Sequence, residues 1–342
     1  VKFGLTGAAK AVGAIAAHTT RADGVVIKKG ETVTAEIADA LAVAGVNELT
    51  VARLEDGDVG EDEAARALAS VLAGANVRVE KPFTGRSNLF SLADGVLRID
   101  APAIDAINDV DEAITVATLP RWRRVVAGEM IGTVKIIPFA APAAALERAI
   151  AVAGAGALTV APFRPLRVGV ISTLLPGLKA ATVAKTLRAL EKRLEPAGAR
   201  IVAEERTAHA TGELEASMRR VAPQCDILIV FGASAITDRR DVIPAALTAA
   251  GGEIGHFGMP VDPGNLLLIG RLGDGGRLTH VLGAPGCARS PKENGFDWVL
   301  HRLLAGVEVT AADIRGMGVG GLLMEIVQRG QLRSGAVGGD DA

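Results

Sequence analysis

From residue 166 to about residue 309, short apolar runs alternate with longer stretches whose apolar positions recur at helical spacing. The pattern predicts strands over 167–173 (RVGVIST), 199–205 (ARIVAEE) and 225–231 (CDILIVF), with helices over 180–194, 213–221 and 241–250 between and after them. Strands over 253–258, 265–270 and 279–284 follow, and then a helix over 292–304. The run CDILIVF is apolar at nearly every position, as expected of a strand covered on both faces. Alternation at this spacing predicts β-α-β units: an α/β domain of three layers, with a mostly parallel sheet between helices.

The preceding half of the chain reads differently. In VVIKKGETVTAEIADALAVAGVNELTVARL (25–54), a short strand, a glycine turn, a helix capped at Thr34 and a strand over 48–54 succeed one another. ATLPRWRRVVAGEMIGTVKIIPFAAP (117–142) alternates β-favouring residues with turn residues, and VAGEMIG predicts a hairpin. The expected organisation is a small α+β domain over 1–74, a β-rich linker domain over 75–165, the α/β domain over 166–309, and a C-terminal extension and tail over 310–342.

Composition narrows the partners. The chain of 342 residues is 49% hydrophobic and 22% charged, with a net charge of -2 and a pI near 6.3, which gives nucleic acid no electrostatic footprint. Only Cys225 and Cys287 are present, so a reducing, cytoplasmic setting is expected. No apolar segment approaches the roughly 18 residues of a membrane span, and no signal-peptide pattern is read. The closing SGAVGGDDA reads as a loose tail.

Three polar clusters carry two readings each. Glu55, Asp56, Asp58, Glu61, Asp62 and Glu63 have the chemistry of a divalent metal site, but they open a helix, where negative charge is favoured, and calcium-loop spacing is absent; no metal is expected. Arg121, Arg123 and Arg124 around Trp122 fit either a nucleotide-stacking site or a charged strand edge. Thr84, Arg86, Ser87 and Asn88 fit either a ligand contact or a hydrogen-bonded turn.

The densest chemistry lies in FGASAITDRRDVIPAAL (231–247), where a strand runs through a small-residue loop and an Arg-Arg-Asp into a helix. Gly232, Ala233, Ser234 and Ala235 let a phosphate or flat ring approach the backbone. Arg239 and Arg240 supply positive charge, and Asp241 either caps the helix or accepts from ligand N–H groups. Loops at strand carboxyl ends are where open α/β sheets bind ligands. Neither a G-x-G-x-x-G nor a G-x-x-x-x-G-K-[ST] pattern follows a strand, and GMGVGG (316–321) lacks the strand before it.

Four loops in order, Ser172-Thr173, GASA with RRDVIP, PVDPGN and GAPGCARSPKENG, resemble the molybdopterin-binding domain shared by molybdopterin adenylyltransferases and molybdopterin molybdenumtransferases. The wider arrangement, with DVGEDEAA, TGRSNLF and DEAITVATLP, is similar to the molybdopterin-binding proteins that occur alone or fused ahead of a molybdenum cofactor cytidylyltransferase. The resemblance implies binding of molybdopterin or the molybdenum cofactor at Ser172, Thr173, Gly232, Ala233, Ser234, Ala235, Arg240, Asp241, Pro263, Gly264, Asn265, Pro285, Gly286, Cys287, Arg289 and Ser290, with Asp241 the one catalytic candidate. It further implies Mg and ATP if the chain is a transferase, a nucleotidyltransferase or molybdoenzyme as partner, self-association as a dimer or trimer, and a tail after Arg333 where a fused domain would begin. A non-catalytic cofactor carrier or regulatory module, and a hydrolase of nucleotide-type pyrophosphates, are the alternatives. The hydrolase draws no support from histidine: His256 and His280 sit on predicted strands, and none is read near the loop.

The chain also departs from the family pattern. G-A-S-A replaces a G-G-T-G, the segment to the Arg-Asp pair is one residue longer, and Asn265 stands where the family carries Lys. Cys287-Ala288-Arg289-Ser290 replaces an Asn-Pro, adding an arginine and a thiol that is either a soft metal contact or a small packed side chain.

Overall fold

A computed structural model describes residues 1–177, 180–273 and 276–323. The expected tail and the point where a fused domain would begin lie outside the described residues. The chain forms two compact units, Val1–Pro162 and Phe163–Ala342.

In the first unit, every pair of named strands is antiparallel. Strand Lys2–Gly7 pairs with Glu48–Arg53 beside helix Ala35–Val43, whose Thr34 Oγ1 accepts from the Ile37 N–H at 3.2 Å. A larger core gathers around helix Glu61–Leu72, where Leu68 and Leu72 are fully buried. Glu61, Asp62 and Glu63 form that helix's first turn, and no group of three metal-binding side chains occurs among the described residues. The polar stretch at 84–88 is spent within the protein: Ser87 donates to the Glu80 carbonyl, Asn88 to the Glu80 carboxylate, and the Gly85 N–H to Asp62 at 2.6 Å. Arg121 lies over the ring of Trp122, 4.8 Å from its centroid.

The hairpin expected at VAGEMIG does not form. Strand Arg124–Val125 pairs with Gly95–Ile99, whereas Met130–Ile136 joins Arg86–Ser91 and Ile114–Thr118 in another sheet. The Ser91 backbone accepts from the Gly128 N–H and donates to the Glu129 carbonyl, which extends the pairing of Met130–Ile136 with Arg86–Ser91 back into the turn.

The second unit is built on one six-stranded sheet. Its elements are β1 (Arg167–Leu174), α1 (Ala180–Leu194), β2 (Arg200–Ala208), α2 (Thr211–Val221), β3 (Ile227–Phe231), α3 (Val242–Ala249), β4 (Glu253–Phe257), β5 (Leu268–Gly273), β6 (Leu278–Ala284), α4 (Gly295–Leu304) and the short α5 (Ala311–Arg315). The strand order is β2-β1-β3-β6-β5-β4. Val168, Val170, Ile227, Ile229 and Phe231 pack with Leu190 of α1 and Phe296 of α4. Ile171, Leu228 and Val230 pack with Met218 of α2 and Leu247 of α3. The period-two alternation of β1 and β3 thus feeds two apolar clusters.

The sheet is less parallel than expected. The pairs β2-β1, β1-β3 and β3-β6 are parallel, while β5 runs antiparallel to both β4 and β6. Parallel neighbours need a crossover of a dozen or more residues. Only residues 258–267 separate β4 from β5, and only 274–277 separate β5 from β6, so the chain reverses there.

Candidate functional site

Strand direction decides where the loops go. β1, β2, β3 and β6 are mutually parallel, and β4 shares their direction because β5 reverses between it and β6. The turns after all of them therefore emerge at one rim. Ser172 and Thr173 lie at the end of β1, residues 232–235 follow β3, Pro263 to Asn265 lie in the turn after β4, and Pro285 to Ser290 follow β6.

Thr173 links the centre of this rim. Its buried Oγ1 accepts from the Ala233 N–H at 2.8 Å and lies 2.8 Å from Nδ1 of His209. His209 follows β2, so the expectation of no histidine near the loop is corrected. It lies between a strand end and a helix start, a place where a parallel neighbour puts any side chain at this rim. Ser172, on the opposite face of β1, is buried, and its Oγ has no hydrogen-bond partner among the described residues.

The glycines differ in what surrounds them. A Cβ at Gly232 would meet the Ser234 carbonyl oxygen at 2.7 Å and Ile243 at 2.9 Å, so this residue is small for the loop's own closure. Gly264, at φ 143°, would press a Cβ within 2.8 Å of the Gly295 backbone nitrogen, and the Pro263 carbonyl accepts from that N–H. The turn after β4 is thereby stitched to the start of α4. Gly286 faces open space.

Arg289 reaches inward. Its guanidinium donates to the Gly232 carbonyl at 2.9 Å and to Thr186 Oγ1 of α1 at 3.0 Å, and sits 5.4 Å from the Phe231 ring centroid. Burial lowers its pKa from the ordinary arginine value. Of its five N–H donors, two are used in these bonds. Arg240 does not join it: the side chain is 92% exposed and pairs with Asp238 at 2.8 Å. Asp241 caps α3, its two oxygens accepting from the Val242 N–H at 2.9 Å and the Thr237 N–H at 3.1 Å. Ser234, Ala235 and Asn265 are exposed, and the Asn265 carbonyl accepts from the Met259 N–H. Burial raises the Cys287 pKa, keeping it a thiol near neutral pH.

One arginine that carries this rim has no role in the sequence reading. Arg193 of α1, 8% exposed, pairs with Asp297 at 2.5 Å and donates to the carbonyls of Ala288 at 3.1 Å and Ser290 at 2.6 Å. Asp297 also closes the capping box with Asn294 at the start of α4. The Asn294-to-Asp297 spacing is a visible capping signal, whereas Arg193 looks like any cation in a helix's last turn.

No family model matches this chain, and no curated protein matches it. Among solved structures it is similar to the molybdopterin biosynthesis MoeA protein from Pyrococcus horikosii, at 15% identity over 72% of this chain and 79% of that one, with a TM-score of 0.31. It is also similar to a molybdenum cofactor biosynthesis protein B, at 12% identity over 42% of this chain and 95% of that one, with a TM-score of 0.29. A molybdenum cofactor biosynthesis protein from Pyrococcus furiosus aligns at 11% identity over 90% of this chain and 66% of that one, with a TM-score of 0.26. At such scores these likenesses establish neither family nor activity.

Proposed function

We propose that the second unit binds molybdopterin or the molybdenum cofactor at this rim, and that the chain acts in the synthesis or maturation of that cofactor. The observation that carries this is the convergence of four turns, matched in order to the molybdopterin-binding pattern, on the carboxyl edge of one sheet. Three features of the rim fit a phosphorylated, hydrogen-bonding heterocycle. Ser172 offers a buried hydroxyl without a partner among the described residues, Gly286 leaves room for close backbone approach, and Arg289 has N–H donors beyond its two internal bonds. The terminal phosphate would be held by Arg289 and by amides of the turn after β6, with Thr173 and His209 bracing the 232–235 loop. Cys287, whose burial keeps it a thiol near neutral pH, lines the rim.

The chemistry this rim supports best is binding without turnover. Asp241, the one catalytic candidate, caps its own helix, and Arg240 pairs outward with Asp238. On this reading the protein acts as a cofactor carrier, and nucleotidyl or molybdenum transfer is the second reading.

Fluorescence and mass analysis of material copurifying with the protein test the first point: a bound pterin is expected, and apo protein that takes up no added molybdopterin overturns it. Incubation with ATP, Mg and molybdopterin separates the readings. Stoichiometric retention without nucleotide turnover marks the carrier and adenylylated product marks the transferase; in a separate incubation with a dinucleotide, released AMP marks a pyrophosphate hydrolase.

A further inference from the structure

The second unit also holds a cavity of about 210 Å³ that shares no residue with the rim. It lies over the antiparallel half of the sheet, between β4, β5 and β6 on one side and α4 with residues 309–311 on the other. Ile269 and Leu282 are on its sheet side, and Val299 and Leu303 of α4 face it. Gly255 opens the floor: the nearest atoms to an added Cβ would be those of Ile269, at 3.5 to 3.9 Å, an ordinary contact, so the residue is not glycine for want of space at that atom.

A polar row crosses the same three strands. Glu253 of β4 is opposite Arg271 of β5, which is opposite His280 of β6, so all three share one face. Arg271 pairs with Glu308 at the surface, where the two side chains are 39% and 62% exposed. No described group hydrogen-bonds the His280 ring. Its pKa is lowered chiefly by burial and then by Arg271, against an opposing pull from Glu308, so near neutral pH it is an uncharged imidazole with one donor and one acceptor.

We infer that this cavity is a binding site for a small monocarboxylate with a short branched apolar tail, the carboxylate on Arg271 and His280 and the tail against Ile269, Leu282 and Leu303. Arg271 and His280 are the N–H donors among the lining side chains, and a carboxylate takes both. Glu308 gives way readily, because an exposed Arg-Glu pair contributes only about 0–1 kcal/mol. An ammonium group would meet the Arg271 guanidinium. A dianionic phosphate would be opposed by Glu253 and Glu308 and would gain nothing from the apolar walls.

Calorimetry with the full chain and sodium isovalerate tests this, with isoamylamine and isovaleramide as matched probes. Saturable one-to-one binding of isovalerate is expected, with affinity rising and protons taken up as pH falls from about 8 to about 6, because the anion favours the charged imidazole. Gly255→Leu, which fills the floor, and Arg271→Gln, which removes the anchor at an exposed position, should each weaken binding by roughly tenfold or more. Gly286→Ala at the rim should leave it unchanged. Preference for the amine, equal binding of the amide, undiminished binding by folded Gly255→Leu and Arg271→Gln, or no saturation would each overturn the assignment.

Discussion

Arg193 shows how much one buried side chain can hold. It ties α1 to Asp297 and to two carbonyls of the turn after β6, so Arg193→Met leaves a buried carboxylate unpaired. A loss of about 3–5 kcal/mol is expected in urea unfolding, against a smaller loss for the double variant that also carries Asp297→Leu. Cys225 provides a pH test. Burial raises its pKa to about 11 from the ordinary thiol value of 9.0, so the folded state holds the proton more tightly than the unfolded chain does. That contribution to stability is complete below pH 9 and is lost as pH rises towards 11. Unfolding midpoints of the wild type should fall more steeply across that window than those of Cys225→Ala. Gly286 and Gly264 make a contrasting pair. Alanine at the open Gly286 should keep stability within about 0.5 kcal/mol while weakening pterin binding. Alanine at Gly264, with its positive φ and the Gly295 backbone in the way, should cost roughly 1–3 kcal/mol by the same unfolding measurement.

Helices and strands follow local rules that the chain states openly. The 3.6-residue spacing from Ala180 to Leu194 and the continuous apolar run before Gly232 give α1 and β3, and Asp241 stands at the cap of α3. Asp241→Ala should therefore lower stability by about 1 kcal/mol, read from the denaturation midpoint. If Asp241 only caps, pterin affinity should fall by no more than that destabilisation implies; abolished binding in a folded variant would assign it to the ligand instead. Strand direction was not legible in the same way. NLLLIG and THVLGA read as further strands, but the short links before β5 and β6 carry the information that the chain doubles back there. The hairpin expected at VAGEMIG failed for a related reason: turn residues fix a reversal, whereas the partners of each arm, Gly95–Ile99 for one and Arg86–Ser91 with Ile114–Thr118 for the other, come from elsewhere in the chain.

At the scale of the molecule, the two units each have their own apolar clusters. Phe163 to Ala342 expressed alone should fold and retain pterin affinity within roughly tenfold, about 1.4 kcal/mol, since every rim residue named here belongs to it. No helix among the described residues is long and apolar enough to cross a membrane. The sequence by itself determined the α/β alternation, the order of the loops and the small residues within them, because periodicity and backbone permissiveness are local properties. Only the tertiary structure decided which polar groups those loops still offer. Hydrogen bonding is settled by neighbours distant in the chain: Thr173 finds His209, Arg289 finds Gly232, Arg193 finds Asp297, and Ser172 finds none among the described residues.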